Sequence, residues 1–183
     1  MNVTDWPNLF VVKHFFEPRV CDAIVGEMKT TKASAATVYG KGSSGSVDAN
    51  VRNTLRVVPS SETVDLVTQR LLSCKQTVEE HFSLTLDECE DPQFLRYREG
   101  DFFVAHQDGN TGLLRLDTER RRISTVIFLN REYSGGALVF TNLTSKHQMP
   151  AEPGTLVAFR SETTHEVTPV THGERFSIAS WFR

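Results

Sequence analysis

The chain has 183 residues, of which 39% are hydrophobic and 23% are charged, proportions typical of one globular domain without structural disulfides. A net charge of −3 and a pI near 6.1 give no general attraction to a phosphate backbone, so we expect no nucleic-acid partner. The basic run at 120–122 is interpreted as solvated surface, with attraction of an acidic substrate as the alternative. No run approaches the roughly 18 apolar residues that span a bilayer, and residues 1–5 lack the pattern of a secretory signal. We therefore expect no membrane segment and a cytoplasmic location.

The first 92 residues carry the patterns of two helices. A strand is predicted at 9–15, and a helix begins at Glu17-Pro18, where apolar side chains start to recur every three or four residues. A second helix is capped by Ser60 and keeps helical spacing to Phe82. Between them, residues 31–50 are rich in Gly, Ser, Ala and Thr and follow no period, which predicts a mobile loop.

Beyond an acidic turn at 87–91, the pattern changes to short runs rich in aromatic and β-branched residues. The predicted strands are 93–98, 102–106, 123–129, 137–141, 155–159, 165–170 and 175–182. Helices followed by strands predict an antiparallel sandwich or open barrel, with the helices packed outside one sheet. We therefore expect a single domain over residues 1–183, in which 1–92 provide helical support and 93–183 form the β core.

Three side chains in this β region have the chemistry of a metal site. His106 and Asp108 are two residues apart at the end of a predicted strand, so strand alternation directs both to one face. His165 opens a later predicted strand and can approach from a facing position. Two neutral imidazoles and one carboxylate leave half of an octahedral shell open, and iron(II) oxygenases use this arrangement to bind a cosubstrate and oxygen. The three residues therefore predict an iron(II) site.

Arg175 is the fourth candidate for this site. It opens the last predicted strand, ten residues after His165, and shares a strand face with Ser177. If that face lines the barrel, the guanidinium is buried and needs a carboxylate, such as the far end of a dicarboxylate cosubstrate. The alternative is a structural salt bridge from Arg175 to Glu174 or Glu166.

Several ordered segments carry a family resemblance. They are YREGDFFVAHQD at 97–108, RISTVIFLN at 122–130, GGAL at 135–138, PG at 153–154, HEV at 165–167, GER at 173–175 and WF at 181–182. Together they resemble the prolyl 4-hydroxylase-like branch of the iron(II)/2-oxoglutarate oxygenases, in the family's order over residues 93–183. The resemblance implies a mainly β fold with supporting N-terminal helices, built as a double-stranded β-helix (a cupin-like jelly roll).

The resemblance also implies the roles of individual residues. His106, Asp108 and His165 are the implied iron ligands and catalytic centre. Arg175 is implied to bind the distal carboxylate of 2-oxoglutarate, and Tyr97 to line the same pocket.

The chain departs from the hypoxia-sensing members of the family at two positions. It carries Phe128 and Ser124 where those members have a tyrosine and a threonine. One hydroxyl contact to 2-oxoglutarate is therefore lost or supplied elsewhere, with Tyr97, Ser124 and Ser177 as the candidates.

The implied function is hydroxylation of an organic substrate with iron(II), 2-oxoglutarate and oxygen, releasing succinate and carbon dioxide, with ascorbate as the reductant. The expected substrate is a prolyl residue in a peptide or protein, or a free amino acid or another small molecule. Two alternatives stay open, namely a cupin-like metalloenzyme that does not use 2-oxoglutarate and a catalytically silent ligand-binding jelly roll. Residues 31–50 are interpreted as a lid that orders over the iron, against the alternative of a surface insertion without a role.

Overall fold

The computed structural model describes residues 9–37, 48–109 and 120–183. Within these ranges, the helices are α1 (Pro18–Thr30), α2 (Ser61–Ser73) and α3 (Lys75–Phe82). The strands before residue 100 are β1 (Leu9–Val12), β2 (Ala33–Ala35), β3 (Arg52–Asn53), β4 (Leu55–Val57) and β5 (Gln93–Tyr97). The later strands are β6 (Phe102–His106), β7 (Ile123–Phe128), β8 (Tyr133–Gly135), β9 (Leu138–Thr141), β10 (Lys146–Gln148), β11 (Leu156–Arg160), β12 (His165–Val167), β13 (Val170–Gly173) and β14 (Arg175–Phe182).

The described strands form two large antiparallel sheets and a small two-stranded antiparallel sheet. The larger sheet has the order β1-β11-β7-β14-β5-β4-β2, the smaller has the order β10-β9-β12-β6-β3, and β13 pairs with β8. Side chains of the two sheets share hydrophobic clusters, one of which joins Phe128 and Phe159 of the larger sheet to Phe140 of the smaller. This two-sheet sandwich has the predicted jelly-roll architecture.

The helices cover the outer face of the larger sheet. Ile24 of α1 and Leu71 of α2 lie in one hydrophobic cluster with Ile127 of β7 and Ile178 of β14. The central strands β7, β11 and β14 are therefore buried on both faces, which explains their nearly continuous apolar sequences. The prediction that the helices pack outside one sheet is confirmed.

The second predicted helix is two helices in the structure. Cys74 separates them with φ −99° and ψ −1°, and its backbone N–H bonds to the carbonyls of Leu71 and Leu72 in place of a regular continuation. Its thiol also lies 3.0 Å from the Leu71 carbonyl oxygen. The helical spacing of apolar residues persists across the break, so periodicity alone gives no sign of it.

Several predicted boundaries are also corrected. The strand predicted at 9–15 ends at Val12, shortly before His14 adopts a left-handed φ of 55°. The strand predicted at 165–170 is divided into β12 and β13, and Pro169 between them has no N–H to donate. The loop predicted at 31–50 contains β2, which pairs with β4, whereas residues 38–47 of the proposed lid lie outside the described residues. Residues 1–92 thus contribute strands to both sheets besides their helices.

Across the described parts of the chain, no helix has the length and apolar character needed to cross a membrane.

Candidate active site

The strand pairing of the smaller sheet brings two histidines side by side. His106 ends β6, His165 begins β12, and the two residues are direct partners in the antiparallel register. Side chains at paired positions lie on the same face of a sheet, and here the two imidazole centroids are 4.2 Å apart. Asp108 follows two residues after His106, and its backbone N–H donates to the carbonyl of Ser161 at 2.9 Å.

The ligand atoms of His106, Asp108 and His165 all lie within 4.8 Å of one another. The Nε2 atoms of the two histidines are each 3.5 Å from an oxygen of the Asp108 carboxylate. Their Nδ1 atoms lie 2.8 Å and 2.9 Å from the carbonyl oxygens of Val104 and Thr163. Because a carbonyl oxygen only accepts, each Nδ1 carries the proton and each Nε2 presents a lone pair to the site.

Burial and mutual charge hold these groups in forms that bind a metal. Burial lowers the pKa of His165 to about 4, and the neighbouring His106 acts in the same direction. Burial alone would raise the pKa of the Asp108 carboxyl, but the nearby imidazoles of His165 and His106 hold it well below its usual range. Near neutral pH the carboxylate is therefore ionised and the His165 imidazole is neutral, as metal binding requires.

Asp108 is also held by a hydroxyl group outside the triad. The buried Ser124 hydroxyl donates to Oδ2 of Asp108 at 2.7 Å and lies 3.0 Å from the Ser161 hydroxyl. The structure thus gives Ser124 a role in orienting an implied iron ligand, while its predicted contact with 2-oxoglutarate stays a prediction. Ser161 was not identified from the sequence, because its position depends on how β11 leads toward β12.

We expect Ser124→Ala to weaken metal binding while the fold is retained. Loss of a partner that orients a metal ligand typically costs about 10–100-fold in metal affinity. Ser180→Ala is a matched control, since this serine is equally buried but donates to the backbone carbonyl of Glu90 at 2.7 Å. The manganese(II) affinity of each variant is measured by titration with tryptophan fluorescence as the signal. A Ser124→Ala protein that binds manganese(II) as tightly as the Ser180→Ala control would contradict the orienting role of Ser124.

Arg175 lies in the same cavity as the triad and is 1% exposed. Its Nη1 donates to the Ser177 hydroxyl at 2.8 Å, and its guanidinium lies over the Tyr97 ring at 4.9 Å. Among the described residues, its Nε has no hydrogen-bond partner and no carboxylate pairs with it. The structural salt bridge considered above is therefore absent from the described chain, because Glu174 pairs with Arg96 at 2.6 Å and Glu166 with Lys146 at 2.9 Å.

The Arg175 side chain passes close to a glycine of the GGAL segment. Gly136 has a φ of +56°, and a Cβ at this position would lie 3.1 Å from the Arg175 Cδ. The glycine therefore makes room for the arginine and adopts a backbone conformation that other residues disfavour.

A cavity of about 180 Å³ connects these groups. Its lining contains six of the seven residues predicted for the site, namely Tyr97, His106, Asp108, His165, Arg175 and Ser177. Tyr97 and Arg175 are cross-strand partners on β5 and β14, which explains their proximity. The candidate metal ligands and the buried cation therefore face one cavity.

Residues 92–183 match the family described as the 2OG-Fe(II) oxygenase superfamily. The matched region contains the complete triad, Arg175 and the strands that present them. The chain belongs to this superfamily. The predicted family and enzyme class, a 2-oxoglutarate-dependent oxidoreductase, are confirmed, and the family implies iron(II), 2-oxoglutarate and oxygen as the reacting partners.

Curated relatives of this oxygenase are named PKHD-type hydroxylases. One from Xylella fastidiosa is 30% identical over 164 residues, which are 85% of this chain and 70% of the relative. One from Paracoccus denitrificans is 36% identical over 94 residues, which are 49% of this chain and 41% of the relative. The chain thus spans less than half of the length of the Paracoccus protein that it matches.

Solved structures share the fold of this oxygenase. A Pseudomonas putida prolyl-4-hydroxylase superimposes with a TM-score of 0.75 and 24% identity, over 96% of this chain and 92% of that one. A Trichoplax adhaerens prolyl hydroxylase, solved with a peptide fragment of hypoxia inducible factor, gives a TM-score of 0.76 and 14% identity, over 99% of this chain and 86% of that one. The predicted double-stranded β-helix is confirmed.

The oxygenase cavity includes two further arginines, Arg121 and Arg52. Arg121 was interpreted as solvated surface, but it is buried, donates to both Glu90 carboxylate oxygens at 2.8 Å and 2.6 Å, and lies 3.7 Å from the Trp181 ring. Arg52 follows the predicted lid at 31–50, where it is expected to orient polar substrate groups, and it lies in the cavity wall. A basic run with no apolar period carries no sign that its central residue is buried.

Proposed function

We propose that the chain is an iron(II)- and 2-oxoglutarate-dependent dioxygenase that hydroxylates a prolyl residue in a peptide or protein. The observation that carries the proposal is that two imidazoles and a carboxylate able to hold a metal ion share one cavity with a buried guanidinium that has no carboxylate partner among the described residues. The prolyl substrate is supported by the two structural neighbours that are named prolyl hydroxylases. Ascorbate as reductant and a cytoplasmic location stay predictions.

The donor set of the cavity fits the proposed metal. Two imidazole nitrogens with free lone pairs and one ionised carboxylate suit iron(II). Their ligand atoms lie close enough together to bind one ion. The metal would be held by His106, Asp108 and His165. Ser124 would keep the carboxylate turned toward it.

The other end of the cavity fits a dicarboxylate. The Arg175 guanidinium is held against Ser177 and Tyr97, and its Nε has a hydrogen to donate. We propose that the Arg175 guanidinium binds the distal carboxylate of 2-oxoglutarate, with the hydroxyls of Tyr97 and Ser177 beside it. Burial makes the interaction strong and specific for an anion, because a buried charge without a partner is costly.

Iron(II), when bound with 2-oxoglutarate and oxygen, supplies the oxidation that inserts one oxygen atom into a substrate C–H bond and converts the cosubstrate to succinate and carbon dioxide. The protein's own contribution is to hold the reactants and exclude water. Phe103 stacks on the His106 imidazole at 3.5 Å, and Leu95, Leu138 and Val167 add apolar surface to the cavity wall. These side chains shield the site from solvent and limit side reactions.

A mass-spectrometric screen tests the substrate assignment. The enzyme is incubated with iron(II), 2-oxoglutarate, ascorbate and a panel of proline-containing peptides, free amino acids and matched peptides in which alanine replaces proline. We expect a proline-containing peptide to gain the mass of one oxygen atom and its alanine counterpart to remain unchanged, with no gain in an Asp108→Ala control. Hydroxylation confined to free amino acids, or to residues other than proline, would overturn the prolyl assignment.

A further inference from the structure

The cavity is lined by three guanidinium groups, and their partners differ. Arg121 is neutralised by its two-point contact with Glu90. Arg175 faces the space proposed above for the distal carboxylate of 2-oxoglutarate. Arg52 is also part of the lining, and within the described ranges no carboxylate lies within salt-bridge distance of it. Among the residues that the structure describes, one positive charge of the cavity is therefore without an anion.

The position of Arg52 follows from the edge of the smaller sheet. β3 pairs with β6, and Arg52 is the direct partner of Phe103 in that register. The guanidinium carbon lies 4.8 Å from the centroid of the Phe103 ring, and the same ring stacks at 3.5 Å on the His106 imidazole. Arg52 is thus separated from an iron ligand by a single aromatic side chain.

The side chain of Arg52 is held in place but incompletely paired. Its Nη1 donates to the Thr37 carbonyl at 3.0 Å, and only 8% of the residue is exposed. Its Nε is buried and has no hydrogen-bond partner among the residues that the structure describes. A buried guanidinium with a spare donor next to a reaction site is suited to a carboxylate.

A count of formal charges leads to the same ligand. A divalent metal with the Asp108 carboxylate, a dianionic cosubstrate and the Arg175 guanidinium balance to zero. Arg52 then leaves one positive charge, since Arg121 is already paired with Glu90. A substrate carrying one carboxylate would neutralise it, and burying a charge without such a partner is unfavourable.

We propose that Arg52 is a specificity-determining residue that binds a carboxylate of the substrate, so that this enzyme acts on anionic substrates. The assignment rests on the proposed function, because it places the substrate between Arg52 and the metal ligands. In the proposed peptide substrate this carboxylate belongs to an acidic residue beside the target proline, whereas a preference for free proline would reject the peptide substrate and leave the Arg52 site standing. Both sources present the same group to the guanidinium.

Binding to matched probes separates these sources and tests the charge itself. Isothermal titration calorimetry is carried out under nitrogen, with iron(II) and 2-oxoglutarate present, so that no reaction follows binding. One pair of probes is L-proline and L-prolinamide, and the other is acetyl-Pro-Asp-amide and acetyl-Pro-Asn-amide. The proteins are the wild type, Arg52→Gln and a control, Arg56→Gln, which alters an exposed arginine on the neighbouring strand β4.

We expect the wild type to bind the carboxylate member of one pair at least about thirtyfold more tightly than its amide, as loss of a buried charge partner typically costs. The pair that shows the preference identifies the source of the carboxylate. Arg52→Gln should bind the two members about equally, because glutamine keeps an N–H for the Thr37 carbonyl but lacks the charge. Arg56→Gln should retain the wild-type preference.

A purely structural role for Arg52 predicts a different result. In that case Arg52→Gln would bind both probes of a pair more weakly by the same factor and would be less thermally stable than the wild type. Its preference for the carboxylate probe would be unchanged. That result, or a wild type that does not distinguish carboxylate from amide in either pair, would overturn the proposal. A carboxylate preference that depends on Arg52 but is followed by no hydroxylation in air would instead reject the proposed function and leave the Arg52 site standing.

Discussion

Replacing His165 by alanine is expected to abolish iron(II) binding and turnover at micromolar iron. The residue is one of the three proposed protein ligands, and its Nε2 lies 3.5 Å from the Asp108 carboxylate. Its pKa, lowered to about 4 chiefly by burial, keeps it neutral near pH 7. Loss of a ligand should cost more than the roughly 10–100-fold that loss of an outer partner costs. No neighbouring side chain on this side of His165 can replace the lost ligand, because Phe140 and Phe159 lie there and have no metal-binding atom.

His172→Ala is the matched control for this experiment. His172 lies on β13, its side chain is 83% exposed, and its only described ion pair is with Glu99 at the surface. Iron content is measured by metal analysis after equilibration with a limited supply of iron(II), and thermal unfolding without metal shows whether each variant is folded. A folded His165→Ala protein that retains wild-type iron content would contradict the triad.

Replacing Arg175 by alanine is expected to raise the 2-oxoglutarate concentration needed for half-saturation by about a hundredfold or more. Removal of a buried partner from a charged pair typically costs about 3 kcal/mol, and each 1.36 kcal/mol is about tenfold in affinity. Iron binding should be unchanged, because Arg175 is not a metal ligand. Arg175→Lys should recover part of the affinity, since lysine keeps the charge and loses the planar fork.

Arg96→Ala serves as the control for Arg175. Arg96 lies next to Tyr97 on β5, but its charge is already paired with Glu174 at 2.6 Å and it is not part of the cavity lining. Its removal should lower the stability of the fold and leave the 2-oxoglutarate concentration needed for half-saturation unchanged. An unchanged titration in Arg175→Ala would show that the cosubstrate carboxylate is bound by another group.

The sequence specified the central strands well. β5, β6, β7 and β14 were predicted to within one residue at each end, because aromatic and β-branched residues are concentrated there and turn residues bound them. The short strands β2, β3 and β4 were missed. β2 and β3 contain only Ala, Ser, Arg and Asn, and β4 has three residues. Pairing stabilises them, β2 with β4, β3 with β6 and β4 with β5, and no local pattern shows these partners.

The site was predicted to the extent that its residues lie on those strands. Strand alternation placed His106 on one face with Asp108 and Arg175 on one face with Ser177. The contact between Ser124 and Asp108, in contrast, depends on how two separate segments meet. Arg52 owes its place to the register of β3 against β6. Residues that act through cross-strand neighbours are therefore the ones that a single sequence conceals.

The most direct test of the central claim follows the fate of oxygen. The enzyme is incubated with iron(II), 2-oxoglutarate and a peptide that it hydroxylates, under isotopically heavy oxygen gas in ordinary water. The masses of the products are then measured by mass spectrometry. One cavity that holds iron through His106, Asp108 and His165 and the cosubstrate through Arg175 predicts one heavy atom in succinate and one in the hydroxylated product, in equal amounts. Product formed without labelled succinate, or carrying oxygen from water alone, would contradict the account.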